Sequence, residues 1–181
     1  MKKLFILLLS LLSLSLMPAF AKEWRVITEL DVLPYATGGY YFSGGLVKDH
    51  IRIRAVRSVV NIPEFSSPDG FDNYRNRAIA LIADYCPGKG GYNKGFWIGS
   101  GVEYWDNTIR NKQDHETTRF SQYILTAGAG YIIPVGNHFF INPWAAIHLD
   151  PAGKKTYQIG NREAEIASFF SEGSLKLGWR F

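Results

Sequence analysis

From Glu23 to Phe181 apolar and polar residues alternate in runs separated by turn residues, the period of strands with two chemically different faces. The first run, Glu23–Leu33, puts Trp24, Val26, Leu30 and Val32 on one face and Arg25, Glu29 and Asp31 on the other. Pro34–Gly38 turns into Gly39–Val47, and Lys48-Asp49 turns into His50–Val60, where Ile51, Ile53 and Ala55 oppose Arg52 and Arg54. Arg57 interrupts this face, which predicts either a bulge near Ala55-Val56 or a snorkelling position at a rim. Further strands are expected at Arg77–Cys86, Gly95–Trp105, Thr118–Ile133, His138–Leu149 and Ser174–Phe181. Pro143 cannot donate to a ladder and predicts a local bulge.

Eight strands result, with connections Pro87–Gly91 and Pro134–Asn137 short and 61–76, 106–117 and 150–171 long. A rival count, seven strands plus a hairpin within 155–174, puts every long loop on the periplasmic side, the reverse of what a barrel with both ends in the periplasm needs. The eight-strand count keeps short turns at one end and long loops at the other. No run after residue 21 is apolar enough for a spanning helix. A membrane chain built this way must therefore close into a barrel, because lipid leaves open strand edges unsatisfied.

The final segment is the most specific feature. Leu175, Leu177, Trp179 and Phe181 share one face, Ser174, Lys176, Gly178 and Arg180 the other, and the sequence stops on an aromatic residue. It resembles the closing strand of small eight-stranded Gram-negative outer-membrane β-barrels. That resemblance implies an all-β, antiparallel, up-and-down transmembrane barrel with its tight turns in the periplasm. It also implies that the last strand is read by the barrel-insertion machinery. Rings fall in two belts, Trp24, Tyr85, Phe96, Tyr131, Phe139, Trp179 and Phe181 at the periplasmic edge and Tyr40, Phe42, Tyr104 and Tyr123 at the outer edge. A soluble periplasmic ligand-binding barrel is the alternative without a membrane.

The amino-terminal end agrees with export. Met1-Lys2-Lys3 is basic, Leu4–Leu16 is apolar apart from serines, and Ala19-Phe20-Ala21 is a small-x-small cleavage site. The expected organisation is a signal peptide over 1–21 and a barrel domain over 22–181. The single cysteine, Cys86, allows no internal disulfide and stands too far from the cleavage site for lipid attachment. Without Lys2 and Lys3, 18 basic residues face 16 acidic ones, which leaves no electrostatic footprint for nucleic acid.

Eight strands enclose an interior only about wide enough for side chains. The inward set holds Arg25, Arg52, Arg54, Lys176 and Arg180 against Glu29, Asp31, Asp84 and Glu103. Near-balance of charge predicts a hydrogen-bonded plug, with an ion pair joining Arg52 and Arg54 to Asp84. Glycines 99, 101, 128 and 130 are expected to make room for the arginines. Some barrels of this kind deacylate or acylate lipid A, and the candidates here for such an outer-leaflet hydrolase or acyltransferase are His148, Asp150 and Glu103. No serine stands in the expected spacing to His148, and nucleophilic catalysis needs a hydroxyl or thiol beside its base. Asp114-His115-Glu116 reads as a solvated charge run rather than a metal site, and Pro87–Gly91 as a hairpin turn rather than a nucleotide loop, since no helix follows. No cofactor or metal is expected. The expected partners are outer-membrane lipid and lipopolysaccharide, the insertion machinery, and an unidentified partner at the surface loops. The sequence thus favours a structural, surface-interaction or very small-solute role over catalysis.

Overall fold

The computed structural model describes residues 24–181; the expected signal peptide 1–21 and Glu23 lie outside the described residues. Ten strands follow in order: β1 (Arg25–Asp31), β2 (Tyr40–Lys48), β3 (Ile51–Asn61), β4 (Phe71–Tyr85), β5 (Gly95–Asn111), β6 (Thr117–Val135), β7 (Phe139–Leu149), β8 (Lys155–Ile159), β9 (Arg162–Ile166) and β10 (Phe169–Arg180). Eight of them close a barrel in the order β1-β2-β3-β4-β5-β6-β7-β10, antiparallel throughout, while β8 and β9 form a separate hairpin. The seam joins β1 to β10 over Ile27↔Arg180 to Asp31↔Lys176. Among the described residues no helix is long and apolar enough to cross a membrane, which leaves a strand-built crossing untouched.

Two ends differ in construction. The base carries Trp24, Phe181 and the connections β2–β3, β4–β5 and β6–β7; the rim carries the other four. The wall has its apolar side outward. Val26, Leu46, Ile53, Leu81, Ile98, Val102, Leu125 and Ile147 are all exposed, while Glu29, Arg52, Arg54, Asp84, Asn142 and Lys176 are buried inside. Strand alternation alone produces this inversion, since neighbouring side chains point to opposite faces.

Several expectations need correction. Residues 32–36 leave the first strand as a one-turn helix, α1 (Val32–Ala36), because Asp31 caps it by accepting from Leu33 N at 3.1 Å and Pro34 has no N–H for a ladder. Arg57 sits in unbroken β2–β3 and β3–β4 register, so no bulge exists there and its place is the rim. Register does not shift at Pro143, which pairs with Leu175 of β10, although the ladder to β6 lapses at Asn142 and Pro143. The irregularity falls instead between Asp72 and Arg75, where Asn73 takes a φ of 47°. The long loops are shorter than their composition implies. β4 starts at Phe71, β5 runs to Asn111 and β6 starts at Thr117, so a β4–β6 sheet continues beyond the belts. The segment 150–171 is a hairpin and the start of β10, not one loop.

Candidate functional site: the lumen and its lid

The base of the lumen is an ionic cluster. Arg52 donates from Nε to Asp84 Oδ2 at 2.5 Å and from Nη1 to Glu29 Oε1 at 2.9 Å. Arg54 Nε reaches the same Asp84 Oδ2 at 3.0 Å, and its Nη1 donates to the Tyr41 hydroxyl at 3.1 Å. Asn142 ties Glu29 to the far wall, donating to Oε1 at 2.8 Å while accepting from Trp97 Nε1 at 2.9 Å. The Trp97 ring lies under both guanidinium groups, 4.7 Å from that of Arg52 and 5.3 Å from that of Arg54. Such a cluster is weak evidence for stability by itself, because desolvation offsets attraction. It is strong evidence that no member can be removed alone.

Space at the base comes from glycine. A methyl group at Gly99 would overlap the Asp84 carboxylate, and one at Gly130 would overlap the Trp97 ring. Gly99 thus makes room for the acid and Gly130 for the indole, while Gly101 and Gly128 lie against Ile82 and Ala146; an added methyl at any of the four would meet these neighbours first, not an arginine side chain.

Below the cluster, the β4–β5 connection ends in a 3-10 turn, Gly91–Asn93, that carries Tyr92 into the lumen with no exposed surface. Its hydroxyl receives a hydrogen bond from Arg52 Nη1 at 3.3 Å, and its ring meets Phe140 edge-on at 6.0 Å. Arg180 closes the base over the Phe140 ring, 4.8 Å from its centre, and donates to the Asn93 carbonyl at 2.6 Å. It therefore has a carbonyl and aromatic rings as partners rather than an acid. Arg25 is exposed at the base and stands outside the cluster.

Asp31 and Lys176 line the middle of the lumen. Asp31 accepts from Trp144 Nε1 and Ser174 Oγ, each at 2.6 Å, and the Lys176 ammonium rests 3.5 Å from the centre of the Trp144 ring. A cavity of ≈ 230 Å³ opens there, lined among others by Tyr41, Trp105, Trp144, His148, Glu172 and Lys176. That is well above the roughly 10–15 Å³ one water requires, so these polar groups have room for hydration.

Of the catalytic candidates, the structure brings two together and separates the third. His148 Nδ1 lies 3.3 Å from Glu103 Oε1, and Nε2 lies 3.1 Å from Glu172 Oε1. Its ring packs 5.4 Å from that of Trp105, whose Nε1 donates to Glu103 Oε2 at 2.7 Å. Both nitrogens face carboxylates. Thr126 is the cross-strand partner of His148, yet its hydroxyl donates to the Ile147 carbonyl at 3.4 Å. Asp150 turns away into the lid, accepting from Gln122 Nε2 at 2.9 Å and Lys155 Nζ at 3.2 Å.

The lid has a different chemistry. Phe71, Tyr74, Ile109 and Phe120 of the β4–β6 extension pack against Ile159, Ala164 and Ile166 of the β8–β9 hairpin. A ladder of amides runs beneath, Asn76 to Asn107 at 2.9 Å and Asn107 to Gln122 at 3.1 Å, and ends on Asp150. At the tip, Asn161 N donates to Asp114 Oδ2 at 2.8 Å, and lower down Arg110 grips Asp72 through two bonds of 2.9 Å. The Arg110 guanidinium holds Asp72 below the ordinary aspartate range, and the backbone N–H groups of Asn161 and Glu116 do the same for Asp114.

Tyr92 and Glu172 are the members that strand patterning missed. Glu172 alternates correctly with Ser174 and Lys176, but the adjacent Phe169-Phe170 pair hides the start of that strand. Tyr92 sits in a turn, where alternation carries no information. On the outside, Leu175, Trp179 and Phe181 are exposed on one face of β10.

No protein family and no curated protein matches the chain by sequence. Among solved structures, it is similar to the N-terminal β-barrel domain of Pseudomonas aeruginosa OprF, with a TM-score of 0.53, 15% identity, and coverage of 88% of this chain and 96% of that one. It is also similar to Neisserial surface protein A, with a TM-score of 0.50, 12% identity, and coverage of 87% and 95%. At such identities the likeness is one of fold, and the chain has the architecture of the small eight-stranded outer-membrane β-barrels.

Proposed function

We propose that this protein is an integral outer-membrane β-barrel, base toward the periplasm and lid toward the outside, whose lumen is filled rather than open. Its role is then envelope structure or contact at the cell surface, not conduction of large solutes. The inversion of the wall supports residence in a bilayer: a continuous belt of exposed Leu, Ile and Val would be a liability in a soluble barrel. The filling rests on one observation above all, the buried Arg52–Asp84–Arg54–Glu29 cluster wedged on Trp97 and Tyr92 across the lumen. Trp179 and Phe181 stand where the insertion machinery would read the last strand. A catalytic reading finds no hydroxyl or thiol hydrogen-bonded to His148 among the described residues: Nε2 meets Glu172 Oε1, while Nδ1 lies 3.3 Å from Glu103 Oε1 without making a hydrogen bond.

Planar-bilayer recording tests the filling. The expected result is no more than small, brief currents; a large steady conductance would remove the proposal. Extraction of the protein from membranes by carbonate would separately remove the bilayer placement.

A further inference from the structure

The outward face of β3–β6 carries charge where the belt of rings ends. Cross-strand register sets Phe42, Arg57, Ile79, Tyr104 and Tyr123 in one row, and the next row up contains Val59, Arg77, Asp106 and Ser121. A third row holds Arg75, Thr108 and Arg119. Arg57 thus points outward from within the outer aromatic belt itself, with Arg77, Arg75 and Arg119 just above it. Asp106 is the acid among these rows; it takes Arg119 in two bonds of 2.6 and 2.7 Å and Arg77 at 3.9 Å. Among the described residues, Arg57 and Arg75 are exposed and have no carboxylate within ion-pair distance. Higher on the same face Asp72 and Arg110 cancel one another. Four guanidinium groups therefore meet one carboxylate on a surface that borders apolar wall, with Ala55, Ile53 and Leu81 below.

We infer that this patch is a binding site for a phosphorylated glycolipid of the outer leaflet, its phosphate held by Arg57, Arg75 and Arg77 and its acyl chains lying along Ile53, Ala55 and Leu81. The inference rests on the bilayer placement above. Level decides the partner: a side chain leaving the wall at the height of Tyr104 and Tyr123 meets headgroups, which a soluble protein does not reach. Chemistry decides the group. Guanidinium forks match phosphate geometry bidentately, and an arginine at this depth keeps its stem in the apolar wall and its head in the interface. Asp106 tempers the patch by occupying Arg119.

The test uses full-length protein in phosphatidylcholine nanodiscs, titrated with bisphosphorylated lipid A, dephosphorylated lipid A or phosphatidylglycerol, with bound lipid read by native mass spectrometry. The wild type is expected to take up the phosphorylated form selectively. R57Q/R75Q should weaken that uptake about twenty-fivefold, at about fivefold for each guanidinium. D106N should strengthen it several-fold, a gain that damaged folding cannot produce. Equal uptake of the phosphorylated and dephosphorylated forms, or unchanged uptake by both variants, overturns the inference. Equal uptake of phosphatidylglycerol overturns the glycolipid assignment. Failure of the wild type to enter nanodiscs at all strikes instead at the bilayer placement.

Discussion

The base and the lid of this one barrel are packed by opposite means. The base is ionic and assembled by strands of the wall: Glu29, Arg52, Arg54 and Asp84 all point inward by simple alternation. The lid has an apolar centre, assembled by the extended ends of β4–β6 and the β8–β9 hairpin, with a ladder of amides beneath it and charged contacts at its edge. The contrast teaches where each kind of filling is tolerable. In the base, charges are held on a rigid sheet in fixed positions, so each finds its partner without further ordering. In the lid, a hairpin must first be ordered, and burial of Phe120, Ile159 and Ile166 supplies the driving force.

Three changes would break or sharpen that contrast. Asp84→Ala leaves two buried guanidinium groups without their shared acid, and breaking a buried pair in this way costs about 3–5 kcal/mol. The whole barrel should suffer, seen as a lower urea midpoint and loss of the heat-modifiable folded band; a wild-type midpoint would mean the cluster is not structural. Phe120→Ala removes a ring stacked 4.2 Å from Tyr157, at a cost of about 3 kcal/mol. The loss should stay local: faster protease cleavage within 150–168 with the barrel midpoint unchanged. An equal drop in both would erase the distinction between base and lid. The smallest effect is acidification. Asp72 and Asp114 have depressed pKa values in the folded lid, so their contribution is present above the ordinary aspartate value and fades as pH falls through the depressed one. Below about pH 4 the lid should exchange its amide hydrogens faster while the barrel amides stay protected. A lid equally protected at pH 3 and pH 7 would show that these carboxylates do not fasten it.

Much of the base was legible in the sequence, and most of the lid was not, for a physical reason. Strand alternation turns Arg52, Arg54 and Asp84 inward, so Arg52 and Asp84 face one another once β3 and β4 pair. Parity says nothing about depth, which is why Arg25, inward by alternation, ends exposed at the base. Nor does proximity in sequence survive the end of a strand: Asp150 is two residues from His148 but joins the amide ladder of the lid. Glycines 99 and 130 announced spare room without naming the occupants, Asp84 and Trp97. The lid depends on Phe71, Tyr74, Ile109 and Phe120 meeting β8 and β9, contacts between segments far apart in the chain.

The seam between β1 and β10 is ladder-bonded only over Ile27–Asp31, yet the lumen fastens it a second time. Asp31 on one lip grips Ser174 on the other and Trp144 one stave beyond, while Glu29 reaches Asn142 on that same stave. Lateral unzipping would have to tear these side-chain hasps as well as the backbone. The first and last strands are thereby locked from within, so the cylinder resists opening at the joint where its ladder is shortest.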